Sequence, residues 1–195
     1  SGDNVYVVDA TDKQLIKIDT SAQTVTELIL LNYTVQGMEL LTSTSSNTIA
    51  YLATSEGYLS AYDTVSGTLL DIVAPSSNAD LVDLCPTIRS TNSTELLVLD
   101  TANEQVHEYD TATNTFVRTF DLPEGSNPTT IDLVGPLESE VVAITFSGTN
   151  QLGFYDFNVT SLNELTESPL TLSTTPTTSL GSTSNYLFVG VGSNV

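Results

Sequence analysis

The sequence predicts an all-β protein, a β-propeller of four-stranded antiparallel blades. One observation is an apolar–Asp pair that recurs at nearly constant spacing. Another is that about four short strand-like segments accompany each recurrence. A third is composition: Ser and Thr number 53 of 195 residues, and Thr alone 31, which suits strands and hydroxyl-rich turns better than helices.

The repeat is visible directly in the sequence. The pairs have aspartates 44, 47 and 46 residues apart, and they are Ile18-Asp19, Tyr62-Asp63, Tyr109-Asp110 and Tyr155-Asp156. A spacing of 40 to 50 residues with four strands is typical of a propeller blade. We therefore divide the chain into units at 1–44, 45–90, 91–137 and 138–184, with a further unit starting at 185–195.

The second unit illustrates how each one is built. An apolar segment at 49–52 is followed across a polar turn by residues 58–62, the aspartate turn, and a third strand. A fourth apolar segment, at 81–84, precedes the next unit. We expect the first segment of each pair to be buried on both faces and the second to be more amphipathic.

The repeated aspartates are predicted to be structural. An Asp side chain can accept hydrogen bonds from backbone amides two residues on, and the Thr that follows three of them suits a chain reversal. Asp19, Asp63, Asp110 and Asp156 are thus assigned to turns rather than to catalysis. In the fourth unit Phe157 replaces this Thr, so an altered turn is expected there.

The spacing, the paired strands and the Tyr-Asp-Thr turns resemble the YVTN-type propeller repeats of secreted and cell-surface proteins. They are less similar to NHL-type propellers. The resemblance covers essentially the whole chain and implies an extracellular setting. Two other propeller signatures, the Trp-Asp dipeptide and the Asp-box, are missing.

The last residues repeat the character of the first. Residues 185–190 match residues 4–9, which leaves one strand more than a closed four-bladed ring needs. We expect a piece of a longer propeller, or a subunit whose open edges a neighbour completes. The Thr/Ser/Pro-rich segment at 165–184 is either a mucin-like linker or, as we favour, part of a blade.

Charge narrows the choice of partners. The chain has 24 acidic and 4 basic residues, a net charge of −20. So few Lys and Arg argue against binding nucleic acid or an anionic membrane. No apolar run is long enough for a transmembrane helix, so membrane insertion is not expected.

Three N-x-S/T sequons point to a glycoprotein. They begin at Asn32, Asn92 and Asn158, each in a predicted turn. Together with the hydroxyl-rich composition they predict a secreted or cell-surface protein with attached glycans.

The remaining chemistry-bearing residues are sparse. Cys85 is the only cysteine, and we expect a buried, inert thiol at a strand end. His107 is the only histidine, and we expect it exposed on a strand. Catalysis by His107 would require a Ser or Cys partner that the sequence does not place.

One propeller face is predicted to be acidic. The loops there would carry Asp9, Asp12, Glu56, Asp100 and Glu104, which form either a solvated rim or a calcium site. No calcium-loop spacing is present, so we expect no cofactor, with calcium as the alternative. The leading hypothesis is a non-enzymatic extracellular structural or adhesive module that binds other subunits or copies of itself. The alternatives are a calcium- or ligand-binding propeller and a non-catalytic part of a secreted hydrolase.

Overall fold

The computed structural model describes residues 4–42, 48–90, 93–134, 141–158, 161–182 and 186–191, and the regular structure in these ranges is entirely β-strand. In chain order the strands are β1 Asn4–Asp9, β2 Gln14–Asp19, β3 Thr24–Leu30, β4 Val35–Thr42, β5 Thr48–Thr54, β6 Leu59–Asp63, β7 Thr68–Val73, β8 Leu81–Ser90, β9 Ser93–Asp100, β10 Gln105–Asp110, β11 Thr115–Asp121, β12 Pro128–Val134, β13 Val141–Phe146, β14 Gln151–Asn158, β15 Ser161–Glu164, β16 Leu170–Thr171, β17 Pro176–Ser182 and β18 Leu187–Val191.

These strands form five antiparallel sheets, which we call blades 1 to 5. Blade 1 is β1-β2-β3, blade 2 is β4-β5-β6-β7, and blade 3 is β8-β9-β10-β11. Blade 4 is β12-β13-β14-β15, with β16 as a second partner of β14, and blade 5 is β17-β18. The inner strands β4, β8, β12 and β17 are neighbours across the blades. The predicted all-β fold with four-stranded antiparallel blades is confirmed.

The turns repeat as regularly as the strands. A residue with positive φ lies in each of the turns β1–β2, β5–β6, β9–β10 and β13–β14, namely Lys13, Gly57, Glu104 and Asn150. The turns β2–β3, β6–β7 and β10–β11 also have one each, at Gln23, Gly67 and Asn114. Gly57 combines a positive φ with a close approach, because a Cβ there would collide with the backbone of Ala79.

The hydrophobic core lies between blades. One cluster joins blades 1 and 2, a second blades 2 and 3, and a third blades 3 and 4. Consecutive residues of β9 alternate between clusters: Leu96 and Val98 face blade 2, whereas Leu97 and Leu99 face blade 4. Side chains of a strand point alternately to opposite faces, so a strand sandwiched between two blades must be apolar throughout.

Burial departs from the sequence-based expectation at two places. The third strands of blades 2 and 3, β6 and β10, are as buried as the strands before them, because neighbouring blades cover both of their faces. By contrast β1, expected to be buried, has no buried residue: half of its residues are exposed and half are partly buried. The segment at 165–184 contains β16 and β17, so the described part of it belongs to blades rather than to a linker.

Candidate functional site

The face predicted to be acidic is held together by its own carboxylates. Glu56, in the β5–β6 turn, accepts the backbone amide of Thr34 at 3.1 Å, and Thr34 lies in the link that leads into blade 2. Glu104, in the β9–β10 turn, accepts the amides of Gly125 at 2.7 Å and Asn127 at 2.9 Å in the link to blade 4. Each of these two carboxylates therefore joins its own turn to a link that leads into a blade.

Asp9 and Asp100, which end β1 and β9, accept amides of the turns that follow them. Asp9 accepts the amides of Thr11 and Asp12 at 2.9 and 3.0 Å. Asp100 accepts the amides of Ala102 and Asn103 and also the amide of Asp80, in the link before blade 3. Four of the five predicted rim carboxylates thus hold backbone amides, and Asp12 contributes its amide to Asp9.

His107 is buried, so the expectation that it is exposed was wrong. Only 2% of its surface is accessible, because blade 2 covers this face of β10. Its Nε2 lies 3.2 Å from Oδ2 of Asp100 and its Nδ1 lies 2.9 Å from Oγ1 of Thr119, its cross-strand partner. Phe116 packs edge-on against the ring at 5.7 Å.

This carboxylate–imidazole–hydroxyl chain was missed because its members come from three strands. Asp100 is fully buried, and although burial opposes it, hydrogen bonds from His107, Asn103 and backbone amides lower the pKa of its carboxyl. The ionised Asp100 thus orients the ring. Strand β10 has the sequence Gln-Val-His-Glu-Tyr-Asp, in which polar residues are the majority, so nothing in the sequence indicated that His107 would be buried.

Carboxylates also gather where the inner strands meet. Burial raises the pKa of Asp83 in β8 to about 6, and the nearby charge of Asp132 in β12 adds to the rise. Burial likewise raises the pKa of Glu39 in β4, with Asp132 and Asp83 contributing. Asp83 Oδ2 accepts the amide of Ile131 at 3.0 Å, which joins the inner strands of blades 3 and 4.

Cys85 lies beside these carboxylates, inside β8 rather than at its end. It is 2% exposed, and burial, together with the charges of Asp83, Asp132 and Glu39, raises its pKa well above the ordinary value. The expected burial is confirmed. A thiol in this setting stays protonated at neutral pH and is a poor nucleophile.

A cavity of about 510 Å³ opens between the inner strands and the links. Asp83 lies at its wall, and Gln36 donates a hydrogen bond to Asp80 at 2.6 Å across its mouth. Within the described ranges, no three His, Cys, Asp or Glu side chains are grouped so that they could hold a metal ion. Nor does any helix there have the length and apolarity to cross a membrane.

Three of the four repeated aspartates lie at turns, as predicted, and accept backbone amides there. Asp19 accepts the hydroxyl of Ser21 and the amides of Ala22 and Ser21, and these hydrogen bonds, that of the hydroxyl foremost, lower the pKa of its carboxyl. Asp63 accepts the amides of Val65 and Ser66, and Asp110 that of Ala112.

Asp156 differs from the other three. Strand β14 continues through it to Asn158, so the turn comes two residues later. There Asn158 Oδ1 accepts both the amide and the hydroxyl of Ser161, at 3.1 and 2.9 Å. Asp156 therefore lies within a strand, which corrects its assignment to a turn. The altered turn expected from Phe157 is found here, with Asn158 in place of the aspartate that accepts the amide.

The predicted glycosylation sites occupy different settings. Asn32 is exposed in the link between β3 and β4. Asn158 is half-buried at the end of β14, and Asn92 lies outside the described residues. Glycan attachment at all three stays a prediction.

One face of blade 1 is also a candidate site, because it is apolar and open to solvent. Leu28 and Leu30 of β3 are 55% and 74% exposed, and Val5 of β1 is 46% exposed. Exposed apolar surface of this extent is typical of protein–protein contact sites.

Comparisons with known proteins bear on the fold. No protein-family model and no curated protein matches the chain. Among solved structures, the chain is similar to a functionally unknown protein from Desulfotomaculum acetoxidans, with a TM-score of 0.72 and 16% sequence identity. The aligned region covers 96% of this chain and 58% of that protein. The chain is also similar to BBS1N in a complex with ARL6DN, with a TM-score of 0.66 and 15% identity, and there the aligned region covers 91% of this chain and 52% of BBS1N.

The chain has a β-propeller fold. At such low identity the similarity is informative about the fold alone. The chain spans 58% and 52% of the length of these two structures. The YVTN type receives no separate support, because no family model matches.

Proposed function

We propose that the chain is a non-enzymatic structural or adhesive module of an extracellular or cell-surface glycoprotein. Its partners are other protein subunits or copies of itself, and its glycans are attached at Asn32, Asn92 and Asn158. It needs no cofactor. The YVTN-type resemblance, the sequons and the hydroxyl-rich composition support the extracellular setting.

The observation that carries this proposal is how the loop face uses its carboxylates. Asp9, Glu56, Asp100 and Glu104 each accept backbone amides, in three cases from a neighbouring link. Carboxylates used in this way stiffen the connections between blades and are pre-committed to donors, so a ligand would have to displace those donors. A stiff face between rigid blades suits a scaffold.

Two observations weigh against other roles for the chain, a calcium site and catalysis. A calcium site requires several oxygen ligands that converge on one point. In the loop face the carboxylates are distributed over the turns of three successive blades, and among the described residues no three of them are grouped around one point. A catalytic role would draw on the Asp100–His107–Thr119 chain, but the His107 ring is 2% exposed and packed edge-on against Phe116, which keeps substrate away from it.

Two measurements test the proposal. Glycopeptide mass spectrometry of the protein from its source should find a glycan at the exposed Asn32 and the protein in the extracellular or surface fraction. Bare asparagines at all three sequons in an intracellular protein would contradict it. Calcium titration should leave the melting temperature unchanged, since only a ligand that binds the folded state raises it.

A further inference from the structure

The cavity between the inner strands has an acidic wall. Its lining includes two carboxylates, those of Asp80 and Asp83, beside apolar side chains such as Val35 and Val82. Among the described residues that line it, none is Lys, Arg or His, and none belongs to β1 or to blade 5. The cavity is therefore built by the interior of the blade series and not by either of its ends.

Asp80 is held in place at this wall. Its backbone amide donates to Oδ1 of Asp100 at 3.1 Å, and its carbonyl accepts the amide of Thr101 at 3.0 Å. In its side chain, Oδ1 accepts Nε2 of Gln36 at 2.6 Å, whereas Oδ2 accepts no hydrogen bond from the described residues. One carboxylate oxygen of a fixed residue is thus left for a donor that enters the cavity.

Asp83 is one of three carboxylates at the same position of successive inner strands. Glu39 in β4, Asp83 in β8 and Asp132 in β12 each directly precede a leucine and accept its backbone amide. Burial raises the pKa of Asp83 to about 6, and the charge of Asp132 adds to the rise. In the part of the chain that the structure describes, no Lys, Arg or His side chain forms an ion pair with any of the three. The inner strands therefore carry negative charge that no basic side chain in these ranges balances.

Unbalanced carboxylates at a cavity wall indicate a binding site. A half-buried charge without a counter-ion opposes folding, and such charges are typical of places where a ligand supplies the opposite charge. The apolar part of the wall, with Val35 and Val82, provides a surface for methylene groups. The ligand that fits both parts is a cationic group on an aliphatic stem.

We propose that the cavity binds a basic segment of a partner protein, with a Lys or Arg side chain that donates hydrogen bonds to Asp80 and Asp83. This inference rests on the proposed adhesive role and names the chemistry of the partner. The volume of about 510 Å³ lies within the range of ligand sites. Calcium fits less well, because no three ligating side chains are grouped together within the described ranges.

The charges around the cavity also favour a basic partner. Thr101 of the β9–β10 turn and Ala10 of the β1–β2 turn belong to the lining, so the loop-face turns border the cavity. In blades 1 to 3 these turns and the strand ends before them carry one basic residue, Lys13, against five acidic ones: Asp9, Asp12, Glu56, Asp100 and Glu104. A field of this sign attracts a cationic segment and repels an anionic one.

Isothermal titration calorimetry with short capped peptides tests the proposal. The probe is a peptide of alternating Gly and Lys residues, and its neutral match has Gln in place of Lys. The titrations are done at about 150 mM salt, where the attraction of distant surface charges is largely screened. The Lys peptide should bind with one peptide per chain, and the Gln peptide should not bind.

Two variants remove a charge from the cavity and keep the shape of the side chain. Asp80→Asn and Asp83→Asn should each weaken binding of the Lys peptide about tenfold. Asp71→Asn is the matched control, because it removes the same charge from the outermost strand of blade 2, and it should change the affinity less than about twofold. Urea unfolding verifies that each variant is folded. Asp83→Asn should bind more weakly although it is the more stable protein, a combination that a merely structural role of Asp83 would not produce.

Contrary results overturn the proposal in recognisable ways. A Lys peptide that does not bind overturns the site. Equal loss of affinity in all three variants also overturns it, because the peptide is then attracted to the net charge of −20 and not to the cavity. Spermidine is a second probe: if it binds, the Lys peptide does not, and Asp80→Asn abolishes its binding, the cavity takes a small amine and the protein partner is refuted. None of these results changes the glycan and fractionation measurements, so failure of this inference is distinguishable from failure of the proposed function.

Discussion

Replacing Asp83 by Asn should stabilise the protein at neutral pH. Burial raises the pKa of this carboxyl to about 6, with the charge of Asp132 adding to the rise. The ordinary value is 3.8, so the ionised form is disfavoured in the folded state by about 2 pKa units, or about 3 kcal/mol. Asparagine removes the charge while keeping an oxygen for one of the two amides, those of Leu84 and Ile131, that Asp83 accepts.

The pH dependence has a definite sign. Because the folded pKa is raised, the folded state binds a proton more readily than the unfolded state. The stabilisation is fully present below pH 4 and is lost as the pH rises through 6. The wild-type protein should therefore gain unfolding free energy as the pH falls from 7 to 5, and Asp83→Asn should show less of this gain. We expect the variant to be about 1 to 3 kcal/mol more stable at pH 7, the lower figure allowing for one weakened hydrogen bond.

Urea unfolding at several pH values measures both effects. Asp71→Asn is the matched control, because Asp71 accepts the amide of the next residue just as Asp83 does but lies in the outermost strand of blade 2. Its stability should change by no more than about 0.5 kcal/mol. The difference in unfolding free energy between the wild type and Asp83→Asn also cancels most of the general effect of a net charge of −20, which both proteins nearly share. A less stable Asp83→Asn protein at pH 7, or equal pH slopes for both proteins, would refute the reasoning.

Urea unfolding of three further variants tests two buried polar contacts of blade 3 and the β5–β6 turn of blade 2. Arg118→Ala should cost about 3 to 5 kcal/mol, because Glu108 is fully buried and would lose the bidentate partner that holds it at 2.6 and 2.7 Å. His107→Ala should cost about 2 to 4 kcal/mol through the cavity it leaves and the loss of a donor to buried Asp100, and a value under 1 kcal/mol would contradict the buried network. Gly57→Ala should cost about 1 to 3 kcal/mol, since it combines a positive φ with a collision, and an unchanged midpoint would contradict the turn geometry.

The sequence was sufficient to predict the blades, because the fold repeats its local signals. An aspartate turn at 19, 63 and 110 recurs with a positive-φ residue four positions later, at Gln23, Gly67 and Asn114. Local turn chemistry and alternation are properties of consecutive residues, so they can be recognised before any tertiary contact is known. Where the local signal changed, at Phe157, the turn itself moved.

The features that the sequence could not indicate depend on contacts between blades. The burial of His107 follows from blade 2 lying over β10, and its partner Thr119 comes from the neighbouring strand. The raised pKa of Asp83 likewise requires β12 beside β8. Periodicity within a strand indicates which residues share a face, but not which blade covers that face, and so it could not predict that one face of blade 1 would stay open.

The acidic residues include two groups whose effects on the stability of the fold are opposite. Carboxylates at turns, such as Asp19, Asp100 and Glu104, accept amides that would otherwise be unpaired, so they stabilise the links. Carboxylates at the inner strands, such as Asp83 and Glu39, are half-buried near one another, so their charges oppose folding at neutral pH. A chain selected for stability alone would retain the first group and neutralise the second. We therefore expect the inner-strand carboxylates to be retained for a reason other than stability. Asp83→Asn separates that reason from stability, because it keeps the fold and removes the charge.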